Sequence, residues 1–122
     1  MVMKKLVFSL MFLFAAFLIT SCSKDAVELI VGNWNVVSYK KNNVELLNTS
    51  PDFTNLKIEF NSNNSGTIYS NADTSNFNYL ITNDTILKIE TLDWTINNIS
   101  ADNMQITTTE SSNTYVMKLE KQ

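Results

Sequence analysis

The sequence predicts an all-β protein, an antiparallel up-and-down eight-stranded β-barrel, and three observations carry that prediction. Apolar residues alternate with polar ones in short runs across residues 32–122, the period-two signature of half-buried strands. The links between the runs are built from Asn, Asp, Ser and Gly, which favour turns. The runs recur every ~8–12 residues without a helix-length segment among them, the spacing of a meander that closes into a barrel. Asn, Ser and Thr make up 39 of the 101 residues from Cys22 onward. The apolar alternation nevertheless persists throughout, which argues for a folded β domain over disorder.

The elements follow in order. Ala26-Val27-Glu28-Leu29-Ile30 has the spacing of a single helical turn and reads as a cap over one barrel end. The first strand spans residues 32–40, and Val44–Leu47 adds a short strand or lies in the loop ending at Pro51. The clearest strand lies near 55–61, where Leu56, Ile58 and Phe60 point one way and Lys57 and Glu59 the other. Strands near 66–70 and 76–82 follow, and Asn83-Asp84 can close a hairpin onto the next, near 85–91, because both residues tolerate positive φ. Runs near 94–99, 104–110 and 114–120 complete the count of eight. Open edges on strands this exposed would invite association, so closure is expected, although the same alternation suits a sandwich.

Composition closes several functional classes. The 122 residues support one small domain. Histidine, the usual general base and metal ligand, is absent, and so is arginine, the usual clamp for phosphate and carboxylate. Without Lys4 and Lys5, seven lysines face twelve acidic residues, a formal charge of −5 that argues against nucleic acid. No Gly-x-Ser-x-Gly occurs, no imidazole is present to activate a hydroxyl, and no calcium-loop motif is found. Glu59 and Glu90 could form a glycosidase-like pair, but their outward phase makes them solvated face residues. Asn71-Ala72-Asp73 reads as a polar loop rather than a cation site. The expectation is no enzymatic activity, no metal and no cofactor.

The N-terminus carries an address. Lys4 and Lys5 precede an uncharged apolar run over residues 6–19, and Thr20-Ser21-Cys22 follows. Fourteen residues are too few to span a bilayer as a helix, which takes about 20, so an export signal is the better reading. Ile19-Thr20-Ser21-Cys22 resembles the lipobox of bacterial lipoproteins. That resemblance implies cleavage after Ser21, attachment of palmitate-class acyl chains to Cys22, and anchoring to a membrane. Ser23, where an Asp would signal inner-membrane retention, favours the outer membrane of a Gram-negative bacterium. The implied organisation is a signal peptide over 1–21, a lipidated tether and cap over 22–31, and a barrel over 32–122.

Leu29-Ile30-Val31-Gly32-Asn33-Trp34 resembles the opening of lipocalin-like domains, which begin with Gly-x-Trp after a short helical turn. The resemblance continues in pattern through Leu56–Phe60, Gly66-Thr67-Ile68-Tyr69, Trp94 and the paired end at 104–120. In larger lipocalins an Arg on the last strand packs over that Trp. Here only Lys118 or Lys121 is available, and an ammonium does not stack as a guanidinium does, which counts against a deep pocket. The resemblance implies a small hydrophobic ligand in the barrel, lined by Trp34, Leu56, Ile58, Phe60, Ile68, Tyr79, Trp94, Met104, Tyr115 and Met117. The alternative is that these side chains fill the barrel, which then acts as a structural or interaction module of the envelope. Asp84-Thr85-Ile86 also resembles an O-glycosylation sequon of exported bacterial proteins, with Thr85 as acceptor.

Overall fold

A computed structural model describes residues 24–122. The export segment, Cys22 and Ser23 lie outside the described residues. Helix α1 (Ala26–Ile30) leads into β1 (Gly32–Lys41), β2 (Val44–Glu45) and a single 3₁₀ turn at Pro51–Phe53. Strands β3 (Lys57–Phe60), β4 (Ser65–Tyr69), β5 (Thr74–Thr82), β6 (Ile86–Ile89), β7 (Leu92–Ile99), β8 (Asn103–Glu110) and β9 (Asn113–Lys121) follow. Every pairing is antiparallel between neighbours, and β1 also pairs with β9. Strands β1 and β3 to β9 therefore form a closed eight-stranded up-and-down barrel, and β2 is a short hairpin folded onto the end of β1.

The seam at β1 is divided. Gly32–Asn35 pairs with β3, whereas Trp34–Lys41 pairs with β9, so β1 has both neighbours only at Trp34 and Asn35. Beyond Asn35 the β3 side of β1 is met by the chain over residues 42–56, and Val36 N donates to Leu56 O at 3.0 Å where it returns.

The turns obey residue chemistry. Asn83 and Asp84 take φ of 53° and 58°, and Thr85 N donates to Thr82 O. The expected hairpin forms, although Thr85 belongs to the link and β6 begins at Ile86. Asn42-Asn43 and Ser111-Ser112 also pair two positive φ values, the pattern of the two-residue turns that match strand twist. One link differs from expectation: the strand near 85–91 stops at Ile89, and Glu90-Thr91 turns the chain with Glu90 at φ 55°. Glu90 N and its carboxylate bond to Asn78 O and N at 2.9 and 3.0 Å. No Gly, Asn or Pro marks this turn, so the alternation reads straight through it.

Two bulges keep the inward face apolar. Between Val36 and Ser38 the β1 register slips against β9, leaving Val37 45% exposed and bringing Tyr39 opposite the buried Met117. A second slip between Ile96 and Asn98 sets Ile99 opposite Met104, and Thr107 Oγ1 donates to Asn97 Oδ1 at 2.6 Å.

Gly66 has a steric role. A Cβ there would lie 2.5 Å from the backbone oxygen of Glu59 and 2.7 Å from Phe77 Cε2, so β4 can pass between β3 and the Phe77 ring only as glycine. Gly66→Ala should destabilise the barrel by about 1–3 kcal/mol in urea unfolding, the range for forced overpacking. A loss within a few tenths of a kcal/mol would show that β3 and Phe77 move aside freely.

Candidate functional site

The barrel has a capped end, an interior and, at the opposite end, a mouth bordered by β2. The capped end is built where β1, β9 and α1 meet. Ala26 and Ile30, four residues apart, bury the inner face of α1. Trp34 Nε1 donates to Ile30 O at 2.8 Å, and the Trp34 ring is wholly buried. Lys121, at the end of β9, donates from Nζ to Leu29 O at 2.8 Å while that ammonium lies 5.1 Å from the Trp34 ring centroid. A single cation thus binds a helix carbonyl and the face of the ring. Lys121 therefore lies over the Trp34 ring, whereas Lys118 is exposed on the outer face. Gly32 suits this approach, with φ of 137° and a virtual Cβ 2.8 Å from Lys121 Cε.

Of the ten residues expected to line the interior, Trp34, Leu56, Ile58, Phe60, Tyr79, Trp94, Met104 and Met117 are buried. Ile68 and Tyr115 are half-buried, nearer the mouth. The core also takes in Val36, Phe77, Ile96, Ile106 and Leu119, each in phase with a predicted inward residue of its own strand, so extending that phase would have found them. Leu87 is also buried, on β6, where no inward residue was predicted. Phe60 packs edge-on against Phe77 and Tyr79, with ring centroids 5.6 and 5.0 Å away. Burial raises the Tyr79 pKa, and its hydroxyl donates to Asn61 O at 2.5 Å. Thr108, a buried polar residue, donates to Asp93 O at 2.7 Å. Among the described residues no buried side-chain nitrogen or oxygen lacks a partner.

The mouth carries a second aromatic group. Tyr39 stacks on Tyr115 at 6.0 Å and meets Phe53 at 5.6 Å, and Lys41 Nζ lies 6.0 Å from the Tyr115 centroid. Burial raises the Tyr39 pKa, with further contributions from Tyr115 and the Glu110 carboxylate. Glu45 on β2 organises the rim: its carboxylate accepts from Ser38 Oγ at 2.6 Å, Tyr39 N at 2.8 Å and Leu47 N at 3.3 Å. Slight desolvation opposes its charge, but these three bonds and Lys40 hold its pKa below the ordinary value of 4.5.

Outside, Glu59 and Glu90 line different clefts. Glu59 lies with Asn33, Asn55, Lys57, Tyr69 and Gln122 along a shallow cleft of about 600 Å³. Glu90 lies with Asn61, Thr67, Asn76 and Asn78 along another of about 400 Å³. Asn71 accepts from Asn55 Nδ2 at 2.9 Å, and Asp73 accepts from Thr74 N at 2.7 Å, so both are engaged in ordering their loop. Among the described residues no three acidic or thiol side chains gather as a metal site. Thr85 is exposed beside its turn, and Cys22 lies outside the described residues.

These features define an all-β molecule with a helix-capped, eight-stranded antiparallel barrel, consistent with a lipocalin-like fold. Comparison with protein-family models and with curated proteins finds no match to the chain.

Two predictions follow from the ends. Lys121→Met keeps the alkyl stem but removes the ammonium, and should cost about 1–2 kcal/mol in urea unfolding, with Lys121→Ala costing more. Equal stability of Lys121→Met and wild type would deny the clamp its electrostatic part. The lowered Glu45 pKa makes its contribution complete above 4.5 and lost as the pH falls through the folded-state value. Protection of the Tyr39 and Leu47 amides, corrected for intrinsic exchange, should therefore fall in acid, and in Glu45→Gln should be low and pH-independent.

Proposed function

We propose that the chain is an exported lipoprotein, held through acylated Cys22 at the outer membrane of a Gram-negative bacterium. In this reading it is a non-enzymatic barrel that acts through its mouth and outer face as an interaction module of the envelope. The observation that carries the choice is the filled interior: Trp34, Ile58, Phe60, Leu87, Met104, Ile106 and Leu119 are each at most 2% exposed. An eight-stranded barrel has about enough interior for its own side chains or for one small ligand, and large rings occupy it here. The anchor reading is supported by the basic start, the short apolar run and the lone Cys at its boundary.

Enclosure of a small apolar ligand is the other reading, and the half-buried Tyr39, Phe53, Ile68 and Tyr115 near the mouth favour it. One preparation separates the two. The full chain, expressed in a Gram-negative host and extracted from its membranes, is weighed by native mass spectrometry and titrated with a fluorescent fatty-acyl probe against Trp34 and Trp94. The expected result is a mass of residues 22–122 plus acyl chains, with no saturable quenching. Saturable quenching at micromolar probe would overturn the filled-barrel reading, and an unacylated chain outside the membrane fraction would overturn the anchor.

A further inference from the structure

We infer that the α1 end of the barrel is its membrane-facing surface and that the Tyr39–Phe53–Tyr115 mouth points away from the bilayer. The inference rests on acylation of Cys22 as proposed above, but it draws on independent geometry. Ala26 is already buried against the barrel, and α1 is held there by the Trp34 and Lys121 bonds to Ile30 O and Leu29 O. From Cys22 to Ala26 the backbone takes four steps, so even a fully extended tether reaches only about 14 Å. An eight-residue strand such as β8 is about 27 Å long, and a barrel tilt of about 35–45° leaves about 20 Å along the axis, so the opposite turns stand beyond that reach.

The chain itself defines which turns share the α1 end. Tyr79 bonds to Asn61 O, Lys121 N donates to Asp102 O, and Gln122 N donates to Asn33 O beside the start of β1. The antiparallel order then puts the turns near 61–64, 83–85 and 100–102 at this end, and those near 42–43, 70–73 and 111–112 at the mouth. The exposed side of α1 presents Val27, 52% exposed, beside the tether, an apolar contact suited to a headgroup layer. The surrounding loops are mostly uncharged amides and hydroxyls, while Asp25, Glu28, Asp84 and Asp102 outnumber Lys24 and Lys121, the latter already bonded to Leu29 O. Charge therefore does not draw this end to anionic lipid; the short tether does. Thr85 also lies at this end, which leaves little room for a glycan beneath the barrel.

The test uses the full, acylated chain, in which the Cys22 thiol is consumed as a thioether and an added Cys is the only free thiol. Ser62→Cys and Ala72→Cys mark opposite ends of β4 at exposed turn positions, and Ala101→Cys and Ser112→Cys form a second pair. Each is labelled with one fluorophore and reconstituted in phosphatidylethanolamine–phosphatidylglycerol vesicles containing a headgroup nitroxide lipid. Labels at 62 and 101 should be quenched severalfold more strongly than those at 72 and 112, in low and high salt alike. Equal quenching at both ends, or stronger quenching at the mouth, overturns the orientation while leaving the anchor intact. Failure of the protein to associate with vesicles, with Cys22 open to labelling, overturns both.

Discussion

The contact among Trp34, Lys121 and the C-terminal carbonyls of α1 is the constraint on which the rest of the barrel depends. It lies where the sheet must meet itself, with Gly32–Asn35 paired to β3 on one side and Trp34–Asn35 already paired to β9 on the other. A large ring fills the tapering end, and the cation above it ties β9 to the helix beneath. Gly32 suits that approach, because its φ of 137° is one that other residues rarely adopt and a Cβ there would push the Lys121 stem aside. An arginine is therefore not required to close this end. A lysine with a carbonyl acceptor and an aromatic face does so with one ammonium.

Two backbone irregularities, one on the seam and one away from it, keep one face apolar. Val37 and Asn97 are extra residues that restore phase, so that Tyr39 and Ile99 turn inward. The same slip in β1 supplies the mouth, because Tyr39 after the bulge can stack on Tyr115 and meet Phe53. Glu45 then pins β2 over that mouth through one side-chain and two backbone donors. The mouth is thus a product of one bulge and one carboxylate.

Much of the fold was legible because period two survives in most of the strands, and Leu56–Phe60 and Tyr115–Glu120 need no tertiary context to be read. Asn83-Asp84 was legible because positive φ is a property of residue type. The bulges were not, since an extra residue looks locally like a lapse in alternation and only the partner strand reveals it. Glu90 hid for a different reason: its turn is stabilised by Asn78, twelve residues away, not by its own backbone preference. Of the interior, the aromatic and Met positions were readable as large apolar residues in phase, whereas Ile68 and Tyr115 sit toward the mouth, where depth depends on strand tilt. Lys121 was readable only as one of two candidates, because choosing it over Lys118 requires knowing where β9 ends against α1.

Closure of β1 on β9 has a consequence for how the molecule comes into being. Lys121 and its acceptor Leu29 are 92 residues apart, and the seam they complete is the most distant pairing in the barrel. Local hairpins such as β8–β9 can form as soon as both strands are present, but the β1 edge has no partner until β9 arrives. A chain that emerges N-terminus first, as every chain does during synthesis, therefore has its first strand unpaired until almost its whole length has appeared. During that interval β1 is an exposed edge able to recruit a neighbour. The Asn- and Ser-rich links of this chain, which take the positive φ that hairpin turns need and add no apolar surface, suit a polypeptide that must wait for its own far end before it can shut.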